Sequence, residues 1–107
     1  MAKLAKGDRV CALLVCNKWG VDFTCFVGTL EKVEKRGTNK EMPIATVKVD
    51  KVFFLNGPVQ EQKPHDFQLD ARLWKLLPWT AETREEVSNL RKACRMLNEM
   101  TKRVKSL

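Results

Sequence analysis

The chain has 107 residues, of which 44% are hydrophobic and 31% charged, with a net charge of +7. A chain of this length and balance makes one domain with a genuine core, which excludes a disordered polypeptide and a multidomain machine. Its longest apolar runs, Cys11 to Cys16 and Val52 to Leu55, fall far short of the roughly 20 residues that span a bilayer, so no membrane partner is expected.

The opening residues Met1 to Asp8 hold no apolar stretch of the length a signal peptide needs, and the expected location is cytoplasmic. Residues 1–58 read as the β-rich part of a single domain. Gly7-Asp8 forms a turn into the strand Arg9 to Cys16, which is apolar on both faces, as in a central strand or a tightly curled small sheet. Asn17-Lys18-Trp19-Gly20 is a turn signal. Val21, Phe23, Cys25, Val27 and Thr29 then repeat with the period of two that a strand requires. Phe26 and Leu30 fall on the opposite face, which predicts a bend near Gly28. The strand text runs on from Leu30 to Lys35, and Arg36 to Glu41 is a polar loop. Ile44 to Val49 alternates again, setting Ala45, Val47 and Val49 on one face, and Val52 to Leu55 is a further β-rich run closed by Asn56-Gly57-Pro58.

Residues 56–66 read as a loop. The apolar period then changes, and residues 66–107 are expected to be helical. With Asp66 as N-cap, Phe67 to Leu77 places Leu69, Leu73, Leu76 and Leu77 on one helical face, stopped by Pro78. A competing reading makes Arg72 to Leu77 a last strand. Thr80 or Thr83 caps a long final helix from Ala81 to Leu107, Thr83 heading the capping-box pattern Thr83-Arg84-Glu85-Glu86. On that helix Val87, Leu90, Cys94, Leu97, Thr101 and Val104 recur at spacings of 3, 4, 3, 4 and 3, an apolar stripe that needs a partner surface. The fold class that follows is α+β: a small antiparallel sheet or partly closed barrel, then a short helix and a long basic amphipathic helix.

Lys6-Gly7-Asp8-Arg9-Val10, followed by short antiparallel strands, is similar to the opening of SH3-like small barrels, including KOW and Tudor modules. The resemblance implies a curled β-barrel and carries over no site residues.

Residues 91–105 hold six bases, Arg91, Lys92, Arg95, Lys102, Arg103 and Lys105, against Glu99 alone. Glu82, Glu85 and Glu86 crowd the first turns, so the gradient along the axis is what the helix dipole favours in any helix. The lateral bias remains: Arg91, Arg95 and Lys102 line one flank of the apolar stripe. Arg91, Lys92, Arg95, Lys102 and Arg103 are therefore candidate phosphate contacts, mainly electrostatic in character. Trp19, flanked by Lys18 and placed beside the loop that carries Arg36 and Lys40, has the pattern of an aromatic that stacks on a base while cations hold the backbone. These residues point to a nucleic-acid-binding accessory protein. The alternative is an interaction module or inhibitor that docks on an acidic protein through Trp74, Trp79 and Leu97, since tryptophan often carries interface energy. A homodimer through the C-terminal helix is a further possibility.

No catalytic constellation is legible. His65 is the one histidine, there is no tyrosine, and no pair of carboxylates is placed for acid–base work. The four cysteines, Cys11, Cys16, Cys25 and Cys94, read as small reduced hydrophobes. Cys11, Cys16 and Cys25 with His65 lack the paired C-x2-C spacing of a zinc knuckle, so neither metal nor cofactor is expected.

Overall fold

The computed structural model describes residues 4–16, 22–37 and 42–105, with the side chains of Cys16, Val104 and Lys105 left aside. Five strands precede one helix: β1 (Arg9–Cys16), β2 (Asp22–Arg36), β3 (Met42–Phe54), β4 (Gln60–Asp70), β5 (Lys75–Pro78) and α1 (Ala81–Lys105). The strands form one antiparallel sheet in the order β4-β3-β2-β1-β5.

β1 and β2 are apolar on both faces, and the sheet answers this with two cores. Val10, Ala12, Leu30, Ala45, Val47, Val49, Val52 and Leu69 form one, walled by Phe26, Phe67, Trp74 and Leu76. Cys11, Phe23, Cys25, Val27 and Leu55 form the other, together with Val87 and Cys94 of the helix. Neighbours in β1 and β2 divide between them, as alternate residues of a strand must.

The first core is closed by curvature. β4 and β5 are opposite edges of the sheet, yet only residues 71–74 join them. The sheet must therefore bend until its edges approach. Register shifts between Val27 and Gly28, Leu30 and Lys32, and Val49 and Lys51 supply the bend. At the first of these Gly28 is buried so tightly that a Cβ would stand 2.0 Å from the Lys48 carbonyl oxygen. The bulge at Val49/Lys51 also leaves Asp50 outside the ladder, where it takes a two-pronged pair from Arg9, with N–O distances of 2.6 and 2.8 Å. Inside the curl, Phe26 stacks on both Phe67 and Trp74, with ring centroids 5.0 and 4.9 Å apart.

The turn between the edges is built by Asp70. Its carbonyl accepts from the Leu73 and Trp74 amides, and its carboxylate accepts from the Arg72 amide, Nε and Nη2 at 2.8–3.0 Å. Arg72, through its side chain and then its amide, holds the Asp70 carboxyl at about 2, below its ordinary 3.8.

The α+β class, the single antiparallel sheet and the long helix agree with expectation. Other readings are corrected. The edges β4 and β5 do not pair with each other, so the sheet is open and is not a barrel. Neither the loop expected over residues 56–66 nor the helix expected over Phe67–Leu77 forms: Gln60–Asp70 is a strand, and Lys75–Pro78 is a second one, overlapping the Arg72–Leu77 strand of the competing reading. Ile44–Val49 and Val52–Phe54 belong to one strand, Met42–Phe54, with a bulge between them, and Leu55 lies just beyond its end. Leu69 and Leu73 satisfy a helical spacing, but Leu69 is buried against Ala45 while Leu73 is 67% exposed, as a strand followed by a turn dictates.

Two outcomes follow. Gly28→Ala should cost about 2–3 kcal/mol, because the Lys48 carbonyl is backbone and cannot rotate away; urea denaturation reads this as a lower midpoint. Asp70→Asn should lower the melting temperature most near neutral pH. The folded pKa of Asp70 lies below its unfolded value, so its contribution is complete above 3.8 and disappears as the pH falls toward about 2. Circular dichroism melts of the two proteins should therefore converge in acid, and a gap of constant size from neutral to acid pH would refute the assignment.

Candidate functional site

The second core is closed by α1. Trp79 leaves β5 with its amide bonded to the Arg9 carbonyl, and Thr80 caps the helix, its hydroxyl accepting from the Thr83 amide at 3.2 Å. Thr80, rather than Thr83, is the N-cap, and the Thr83 hydroxyl is buried against it. Val87 and Cys94 are buried and Leu90 is half-buried, so the first half of the apolar stripe lies on the chain's own sheet. Cys11, Cys25 and Cys94 are buried in this core; burial holds the Cys94 thiol above its ordinary pKa, and the Cys11 hydrogen bond with burial raises Cys25.

Two arginines fasten this docking. Arg91 donates from Nε to the Phe54 carbonyl at 2.7 Å and from Nη2 to the Gly57 carbonyl at 2.5 Å, and Arg95 donates from Nε to the Leu55 carbonyl at 2.7 Å. These carbonyls lie where β3 ends at Phe54 and the chain turns at Gly57 (φ 93°). Burial, with Arg95 nearby, lowers the Arg91 pKa. Two of the bases assigned to phosphate contact thus have a structural task, each with guanidinium donors left over.

From Glu99 to Arg103 every residue of the helix is exposed. Met96, Leu97 and Met100 are 66%, 50% and 59% exposed, and Ala93 beside them is exposed too. At 3.6 residues per turn these four share an arc of about 100°. Arg84, Arg91, Arg95 and Lys102 fall within about 40° of one another on the other flank, with Lys92 and Arg103 between the two. Lys92 and Arg103 are exposed, and Lys102 lies 4.0 Å from Glu99. A groove of about 320 Å³ runs between Arg95, Met96, Glu99, Met100 and Arg103. A deeper one, about 380 Å³, opens on the same side toward the start of the helix, with Phe53, Trp79 and Val87 below and Arg84, Glu85, Ser88 and Arg91 around it.

The remaining candidates are dispersed. Arg36 lies on β2, bonded to Gln68 at 3.0 Å and 3.5 Å from Glu34. Lys18, Trp19 and Lys40 lie outside the described residues. Trp74 and Trp79 do not share a surface: Trp74 is half-buried in the aromatic stack inside the curl, and Trp79 is half-buried on the helix side, 6.0 Å from Phe53. The strand between them sends Leu76 into one core and Leu77 into the other. His65 sits exposed on β4 beside Phe67, away from the core that holds Cys11 and Cys25, and no metal-binding cluster is gathered among the described residues. No helix there is long and apolar enough to cross a membrane.

Met96, Met100, Arg84 and Ser88 were not singled out from the sequence. A sharper signal was present, since Ala93, Met96 and Met100 repeat at 3 and 4 beside the chosen stripe. The chain matches no known protein-family model, no curated protein and no solved structure.

Arg91→Ala should destabilise the fold by about 1–3 kcal/mol through two lost hydrogen bonds from a charged donor. Arg91→Lys should recover only part, because one ammonium cannot reproduce the guanidinium fork. Urea denaturation followed by tryptophan fluorescence checks both; a stability equal to wild type in Arg91→Ala would remove the clamp from the account.

Proposed function

We propose that this protein is a non-catalytic interaction module that docks an acidic amphipathic helix of a partner protein on the free half of α1. The observation that carries the reading is the apolar arc of Met96, Leu97 and Met100, left uncovered by the chain's own sheet and rimmed by Arg95, Lys92 and Arg103. Contiguous exposed apolar side chains with a polar rim mark interaction sites, and a helix laid on such an arc reads it at i, i+3 and i+4 spacings. Methionine suits the task because its unbranched side chain adapts to the surface it meets. Charge selects the occupant. Six bases stand against one acid in residues 91–105, so a second copy docked by the same half, parallel or antiparallel, would bring bases against bases. An acidic helix brings complementary potential, which steers encounter and suppresses wrong partners.

The row Arg84, Arg91, Arg95 and Lys102 favours a second reading, a polyanion such as nucleic acid held along that flank. It ranks below the first because phosphate contacts would leave the exposed Met96, Leu97 and Met100 unused.

One set of anisotropy titrations separates the two. The probes are a fluorescein-labelled Glu/Leu amphipathic helical peptide, single-stranded DNA, duplex DNA and RNA, each across several salt concentrations. The peptide should bind, and Leu97→Asp and Met100→Asp should each weaken it tenfold or more while the fold is retained, since both side chains are exposed. Charge reversal at Lys92 and Arg103 should weaken it less and flatten its salt dependence. Binding of the nucleic acids with a steep salt slope, unaffected by Leu97→Asp, would reverse the ranking.

A further inference from the structure

The deeper groove at the start of α1 has a composition of its own. Its floor is Phe53, Trp79 and Val87, and its rim is Arg84, Glu85, Ser88 and Arg91. At about 380 Å³ it has room for one large aromatic side chain and lies within the range of sites that bury an apolar body. The rim carries two guanidiniums against one carboxylate. Arg91 is already fixed by the Phe54 and Gly57 carbonyls, so its remaining donors are held in place before any ligand arrives. The groove also continues into the docking face. Ser88 and Arg91 line it, Arg95 and Glu99 line the shallower groove, and these positions recur at spacings of 3 and 4 along one flank of the helix. Ser88 and Glu99 are separated by 11 residues, or about 16 Å of helix axis, which is three turns of a partner helix.

We infer that this groove takes an aromatic side chain of the same acidic partner segment, with a neighbouring carboxylate of that segment on Arg84 and Arg91. The inference rests on the docking reading and adds its register: an aromatic anchor about three turns from the aliphatic residues that cover Met96 and Met100. The aromatic ring meets Trp79 and Phe53, where offset or tilted ring contacts add to apolar burial. The carboxylate meets a pair of guanidiniums, and the Glu85 carboxylate at the rim disfavours a second acid placed directly against it.

A helix-biased peptide library displayed against the immobilised full chain tests this. Acidic sequences should be recovered with an aromatic residue at a fixed position three turns from an aliphatic pair. Changing that aromatic to alanine should weaken binding tenfold or more. Ser88→Trp, which fills the mouth from an exposed position, should weaken the aromatic peptide to the level of its alanine version and leave the alanine version unchanged. Arg84→Glu should weaken both the aromatic peptide and its selection while the melting temperature stays near wild type. Recovery of acidic, aliphatic sequences with no aromatic preference would overturn the inference and leave the docking reading standing. An aromatic preference that survives Ser88→Trp would overturn it as well. A library that yields no acidic sequences would overturn the docking reading, and the anchor with it.

Discussion

Everything in this molecule depends on covering two apolar faces with one small sheet. Strands β1 and β2 carry large buried side chains on both sides: Val10 and Leu30 on one, Phe23 and Val27 on the other. A flat antiparallel sheet of five strands has nothing to spare for the second face. The chain covers one face by curling the sheet onto itself, through register shifts at Asp50 and Glu31 and a four-residue link between opposite edges. It covers the other with the helix. The two solutions are coupled, because the link that draws the edges together also delivers β5, and β5 launches the helix across the face that curling leaves bare.

The helix is longer than this task demands. Burial ends near Asn98, while the helix continues to Lys105. A continuous helix can hold its last turns in water because its backbone hydrogen bonds are internal and its bases complement the dipole. Its apolar side chains have no such compensation. Met96 faces away from the sheet, two residues from the buried Cys94, and Met100 lies where burial has ended, so their side chains form a surface instead of a core.

The arginines show how one residue type divides between two tasks. Arg91 and Arg95 lie over the exit of β3, where the Phe54, Leu55 and Gly57 carbonyls accept from their guanidiniums. They are drawn down as fasteners. Arg103 and Lys92 meet no such carbonyls and stay in solvent. A helical wheel places these side chains and says nothing of which backbone groups wait below.

Much of the fold was legible from residue order. Alternation in Phe23 to Val27 and in Ala45 to Val49 located strands and their faces, because a strand's period of two depends on local geometry alone. The bend at Gly28 was legible for the same reason, and so was the final helix, whose stripe and cap are written within one segment. The region 60–77 was misread because its apolar residues are sparse and its leucines also fit a helix; Gln60 to Asp66 become a strand only because β3 offers a free edge. Of the candidate site, the bases and Leu97 were legible. The methionine arc was overshadowed by the more regular stripe, and the Trp79 groove has no trace in the sequence, since it joins Phe53 to Ser88 and Arg91 from distant positions.

Residue order by itself determined the class of object: one α+β domain, apolar on both faces of its first strands, ending in a helix with bases on one flank. Period, caps and charge act between residues a few positions apart, so they can be read along a line. Tertiary structure alone decided that the sheet stays open, which half of the stripe is buried, which arginines are fasteners and where the grooves lie. Each of these turns on which carbonyl or apolar surface a side chain meets across the fold, and that pairing is made by the closure of the sheet in three dimensions.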